Sequence, residues 1–190
     1  MVEELTEGVI LYHGSYCGVQ KADLNRCRKF KDFGKGFYLT TDKKQAEIFS
    51  LLSARRAIAA GEIDPLQNYG FISIFQFKDN EDLKIKIYPD ADTDWLHCVV
   101  GHRRPNLFNS EITELETFDV IGGKIANDDT NATILAYMAG TFGRTGSAQA
   151  DNICISLLLP DRLKDQYCFR SDKALNSLTW IGQEKIWMRQ

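Results

Sequence analysis

The sequence predicts an α+β fold in a single domain, and three observations predict it. Strand-like and helix-like patterns are mixed along the chain without regular strand–helix alternation, which argues against a doubly wound sheet. Two of the strands are tied to glycine, His13-Gly14 closing one and Gly36-Phe37 opening the next, so backbone can approach closely at both. At 190 residues, with 44% apolar and 26% charged side chains, the chain is one ordinary globular domain with room for a sizeable core.

The first strand, 8–13, rests on the apolar run Val9-Ile10-Leu11-Tyr12. A glycine-spaced turn, Asp32-Phe33-Gly34-Lys35-Gly36, then opens the second strand, 36–41. A helix follows over 42–60: Thr41 or Asp42 caps it, Ala46, Phe49, Leu52 and Ala57 keep helical spacing, and Gly61 ends it. Further strands are expected at 70–78, 83–88, 117–125, 166–170 and 184–189. Helices are expected at 93–101, 129–139, 147–158 and 172–178.

In the block FDVIGGKIANDDTNAT a strand enters a Gly-Gly turn and a polar turn leads into a helix. Asn127, Asp128 and Asp129 read as turn and N-cap residues, or as groups near a ligand. Gly140, Gly143 and Gly146 are spaced like a phosphate loop but lack the lysine and the preceding strand, and read as a flexible connection between two helices. Arg103 and Arg104 either cap a helix C-terminus or meet a pyrophosphate. His97, Cys98 and His102 place no further ligand set beside them, so no metal is expected.

A formal charge of −3 excludes the footprint of a nonspecific polyanion binder. The cations at 26, 28, 29 and 31 read as a solvated face. Five cysteines without a CxxC pair favour reduced thiols, and the N-terminus shows neither a basic nor an apolar leader segment. A cytoplasmic location without a membrane partner is the resulting expectation.

The ordered pair LYHGS (11–15) and DFGKGFYLTTDKKQA (32–46) resembles the NAD-binding signature of ADP-ribosyltransferases of the poly(ADP-ribose) polymerase type. That family carries an HGS or HGT strand, an FGKGIYFA strand and a late strand near NEYIVYD. The chain is more similar still to a little-characterised bacterial branch sharing LYHGS and DFGKGFYLT. The resemblance implies a split β-sheet core with flanking helices and an NAD crevice between its halves.

It further implies a His-Tyr-Gln triad of His13, Tyr38 and Gln166, the last from the strand DQYCF. Gly14 would grip the nicotinamide carboxamide, Tyr38 would stack on the ring, and His13 would meet the adenine-side ribose. Ser15 and Gly36 would line the site, and Phe49 would form a second aromatic wall. At Gln45 the family often has a serine for the carboxamide; the longer amide either serves that group or simply faces solvent, the second reading slightly favoured.

The implied activity is mono-ADP-ribosyl transfer from NAD to an unknown acceptor, protein or nucleic acid, with no metal. Gln166 stands where the family has glutamate. An amide accepts ribose hydrogen bonds but is neither charged nor a base. A catalytically silent NAD or ADP-ribose reader is therefore the rival reading, and an RNA 2′-phosphotransferase is a third. Asp165 would face away from the site, while Asp161 or Asp172 could reach it from a loop.

Overall fold

The computed structural model describes residues 2–126, 128–158 and 163–188, apart from the side chains of residues 128 and 129. It is a mixed α+β fold of two sheets and six helices. In chain order these are β1 (Ile10–Ser15), β2 (Phe37–Leu39), α1 (Lys43–Ala59), β3 (Tyr69–Phe77), β4 (Ile85–Ile87), α2 (Thr93–Arg103) and α3 (Asn109–Leu115). Then follow β5 (Val120–Lys124), α4 (Asp128–Met138), α5 (Ala148–Leu158), β6 (Asp165–Phe169), α6 (Asp172–Leu175) and β7 (Leu178–Trp187).

Three strands form an antiparallel sheet in the order β1-β3-β7, and four form a second in the order β2-β6-β5-β4, where β4 and β5 run parallel. The strand period of two sorts their side chains into layers. Leu11, Phe37, Phe75, Phe77, Val120, Tyr167 and Phe169 meet in one buried cluster between the sheets. On the far face of the second sheet, Ile121 and Cys168 pack with Trp95, Ile134, Tyr137 and Cys154 of the helices.

On the far face of the first sheet lies α1. Its buried stripe is Ala46, Ser50, Ala54 and Ala57, all small, so the helix approaches the sheet at backbone distance. Glycine is required beneath it: a Cβ on Gly14 would stand 2.1 Å from the Ala46 carbonyl, and one on Gly70 would stand 2.5 Å from Ser50 backbone. Asp42 caps α1 by accepting from the Gln45 amide at 3.1 Å, and Gly61 ends it with φ near 69°.

Four expectations change. Helix α3 was not anticipated. The predicted helix at 172–178 is the single turn α6, and β7 begins at residue 178, well ahead of 184. A register shift pairs Ile74 with Gly182 but Phe75 with Trp180, so Ile181 is bulged out of the ladder. The Gly140–Gly146 connection is pinned rather than free: the Tyr137 hydroxyl accepts from the Gly146 amide at 2.9 Å, and Thr145 donates to the Tyr137 carbonyl at 3.1 Å.

Candidate functional site

The two sheets touch along the edges of β1 and β2. Tyr12 and Thr40 exchange both backbone hydrogen bonds, at 2.8 and 3.0 Å, and this is an isolated bridge. In an antiparallel ladder the next rung would join Gly14 to Tyr38. That rung is not formed, because the His13 ring takes the carbonyl: Nδ1 donates to Tyr38 O at 2.8 Å. The imidazole thus holds the strands apart. It leaves the Gly14 N–H and C=O, which point to the same edge of β1 as those of Tyr12, aimed at the gap without a β2 partner.

A carbonyl only accepts, so His13 carries its proton on Nδ1. Burial pushes its pKa below the usual 6.5, which keeps the ring neutral and makes Nε2 an acceptor. The ring leaves the opposite face of β1 from Gly14 and lies against Phe37, with centroids 4.4 Å apart. Ser15 shares that face and contacts the Cys17 thiol at 3.9 Å.

Tyr38 stands beside Cys168 in the β2–β6 ladder, and Gln166 is two residues along on the same face of β6. They are diagonal neighbours, about 7–8 Å apart by the usual cross-strand spacing. The Tyr38 hydroxyl is fully engaged, donating to Gly34 O at 2.8 Å and accepting from Phe33 N at 2.9 Å. Burial, with Cys168 and Asp32 adding to it, raises its pKa well above the phenol range, so Tyr38 is no base. Burial also pushes the Cys168 thiol up to about 12, which removes it as a nucleophile.

The first turns of α1 close the gap from the Gly14 side. The Gln45 Nε2 donates to the Asp165 carbonyl at 3.3 Å, while its Oε1 is buried with no hydrogen-bond partner. Phe49 lies one turn along the same stripe and is 37% exposed.

Asp32, which sequence reasoning did not assign, and Arg103, which it read as a helix cap or a pyrophosphate contact, complete the cluster. Asp32 Oδ2 accepts from Gln166 Nε2 at 2.7 Å and from Ala126 N at 3.0 Å. Its Oδ1 accepts from Arg103 Nε and Nη2 at 2.9 and 2.6 Å. Arg103 also donates to the Ala126 carbonyl at 2.7 Å and to Asn131 at 3.1 Å. It therefore neither caps α2 nor stands free for a pyrophosphate. Arg104 donates to the Met138 carbonyl at 2.6 Å and braces the end of α4. The only sequence signal for Asp32 was its place at the head of the DFGKG turn.

Tyr38 and Gln166 share one face of the second sheet, Gln45 reaches the β6 backbone next to Gln166, Gly14 lies under the first turns of α1, and His13 is joined to Tyr38 through its carbonyl. Ser15 and Gly36 do not join them. A Cβ on Gly36 would stand 2.4 Å from Cys168 Sγ, so that glycine admits the protein's own strand rather than a ligand, as Gly14 admits α1. Asp165 faces away as expected, pairing with Lys124 Nζ at 2.8 Å. Asp172 lies beyond the opposite end of β6 from Gln166. Asn127 and Asp161 are outside the described residues, as are the side chains of Asp128 and Asp129.

Among the described residues no three His, Cys, Asp or Glu side chains gather as metal ligands, and no helix is long and apolar enough to cross a membrane. All five cysteines are free.

A family model described as a protein of unknown function, DUF3990, matches residues 9–180. The chain belongs to the DUF3990 family. The matched span takes in both glycine-bounded strands and all the residues brought together around the β1–β2 gap, so the whole candidate site of this DUF3990 protein lies inside the family's own boundaries. No curated protein matches the chain.

Proposed function

We propose that this DUF3990 protein binds NAD where β1 and β2 part, breaks the nicotinamide–ribose bond and transfers ADP-ribose once to a protein or nucleic-acid acceptor. The observation that carries this reading is the unmade rung at Gly14. A peptide N–H and C=O aimed into a gap, with the orphaned Gln45 Oε1 on the neighbouring helix turn, complement a carboxamide, which has one acceptor and two donors. Tyr38 and Phe49 supply aromatic faces for the flat ring.

Bond cleavage gives the electron pair to nicotinamide, which departs neutral, and leaves positive charge on the ribose. Gln166 orients the ribose through its amide, and His13 accepts from a hydroxyl through Nε2. The acceptor then attacks the anomeric carbon and gives up its proton to solvent. Neither the protonated Tyr38 nor the Gln166 amide takes that proton, so this set supports single transfer to an acceptor that is itself a competent nucleophile. Replacing a charged acceptor by an amide costs roughly 10²-fold in rate. That cost also supports the second reading, an NAD or ADP-ribose reader without turnover.

The test is incubation with NAD, following free nicotinamide and the melting temperature, alongside Phe49→Ala. Phe49 is exposed enough that its removal leaves the fold intact. Losing one stacking face costs about 1–3 kcal/mol, so the variant is expected to lose about tenfold or more in NAD response. Stabilisation without nicotinamide release is common to the silent reader and to a transferase awaiting its acceptor, and addition of cell lysate separates the two: release then selects the transferase, continued silence the reader. No response to NAD in the wild type, or an unchanged response in Phe49→Ala, overturns the site.

A further inference from the structure

We infer that Asp32 is a positioning residue for this site: it supplies, from the loop before β2, the negative charge that β6 lacks at Gln166, and it fixes which end of the Gln166 amide meets the ligand. The inference rests on the NAD reading above and deepens it.

The geometry leaves no choice of amide orientation. A carboxylate has no proton to give, and Asp32 Oδ2 already accepts from the Ala126 amide, so the Gln166 group 2.7 Å away is its NH2. The Oε1 end is consequently turned away from Asp32 as an acceptor, the same capacity a glutamate offers to ribose hydroxyls. Hydrogen bonding of Nε2 to an anion further polarises the amide and strengthens its oxygen as an acceptor.

Arg103 makes the arrangement durable. Its guanidinium grips Asp32 Oδ1 through two nitrogens and the Ala126 carbonyl through one of them, so the carboxylate is held from two sides while Oδ2 stays on Gln166. Asp32 is 8% exposed and Gln166 7% exposed. A glutamate at 166 would bring a second carboxylate to hydrogen-bond distance of the first. In this chain, glutamine at 166 and aspartate at 32 are thus one choice, with the acid moved off the strand.

The test compares wild type, Gln166→Glu, Asp32→Asn and the exchange variant carrying both substitutions, by nicotinamide release, NAD affinity and melting without ligand. Gln166→Glu is expected to release nicotinamide about tenfold more slowly than wild type, although it installs the residue of the resembled family. Asp32→Asn should fall by about the same factor, mainly in kcat, because its amide turns the Gln166 oxygen inward. The exchange variant should exceed both single variants, since an asparagine NH2 can donate to a glutamate. A wild type that binds NAD without release is ranked by NAD affinity instead, with the same order expected.

A Gln166→Glu protein as active as wild type or more so overturns the inference, as does an unaffected Asp32→Asn. Those outcomes leave the NAD reading standing. A folded wild type that neither binds NAD nor releases nicotinamide overturns both. Should Asp32→Asn fail to fold, Gln166→Glu decides alone, its melting without ligand showing that it is folded.

Discussion

His13 is held neutral by burial and tied to Tyr38 by its Nδ1 proton, and both facts bear on how acid affects the protein. Its folded pKa lies below 6.5, as does that of the buried His102. Between the folded pKa and 6.5 the unfolded chain takes up protons that the folded chain refuses. Stability is therefore fully present above the unfolded value and is lost as pH falls below it, by at most about 1.4 kcal/mol per pH unit for each group. Thermal unfolding from pH 8 to pH 5 should show a decline beginning near 6.5, shallower in a His13→Gln protein. Constant or rising stability through that window would contradict the assignment.

His13, Tyr38 and Gln166 stand out at this scale because each sits inside a short motif. Asp32 and Arg103 were not, because their meaning comes from contacts with residues 71 and 134 positions away in sequence, Arg103 and Gln166. Neither spacing nor charge pattern encodes such a meeting.

At the level of the element, α1 depends on what lies under it. A Gly14→Ala methyl would meet the Ala46 carbonyl at 2.1 Å and the Ser50 amide at 2.8 Å, backbone atoms that move only if the helix does. Overpacking of this kind costs about 3 kcal/mol, or roughly 10 °C in melting temperature for a domain of this size. Gly182→Ala, whose methyl meets nothing within 4 Å, should change stability by less than about 0.5 kcal/mol. Equal melting temperatures for the two variants would show that the α1 contact is not so tight.

Elements with end signals were readable, and α1 is the clearest, with Asp42 at one end and Gly61 at the other. Helix α3 has no such signal. Its N-cap is Phe108 in a left-handed conformation, with φ 55° and no side-chain cap. The early start of β7 was hidden because the helical pattern reads through residue 178, whereas α6 ends at Leu175 and the sheet absorbs Gly182 beside a bulge.

At the scale of the molecule, the two sheets share a buried cluster but, among the described residues, one isolated backbone bridge, Tyr12 to Thr40. The mixed class followed from the patterns. The parting of the sheets did not, since it depends on a side chain occupying a ladder position. A ligand spanning the gap should slow hydrogen exchange of the Tyr12 and Thr40 amides together, because both report on the same seam. Exchange unchanged by saturating NAD would place any binding elsewhere.

Cys168 lies between Tyr38 and Gln166, buried, with its thiol pushed up to about 12. At neutral pH it offers essentially no thiolate to peroxide, glutathione or an alkylating reagent. The thiol at the floor of the gap is thus shielded from oxidants, and added reductant has nothing to restore at Cys168.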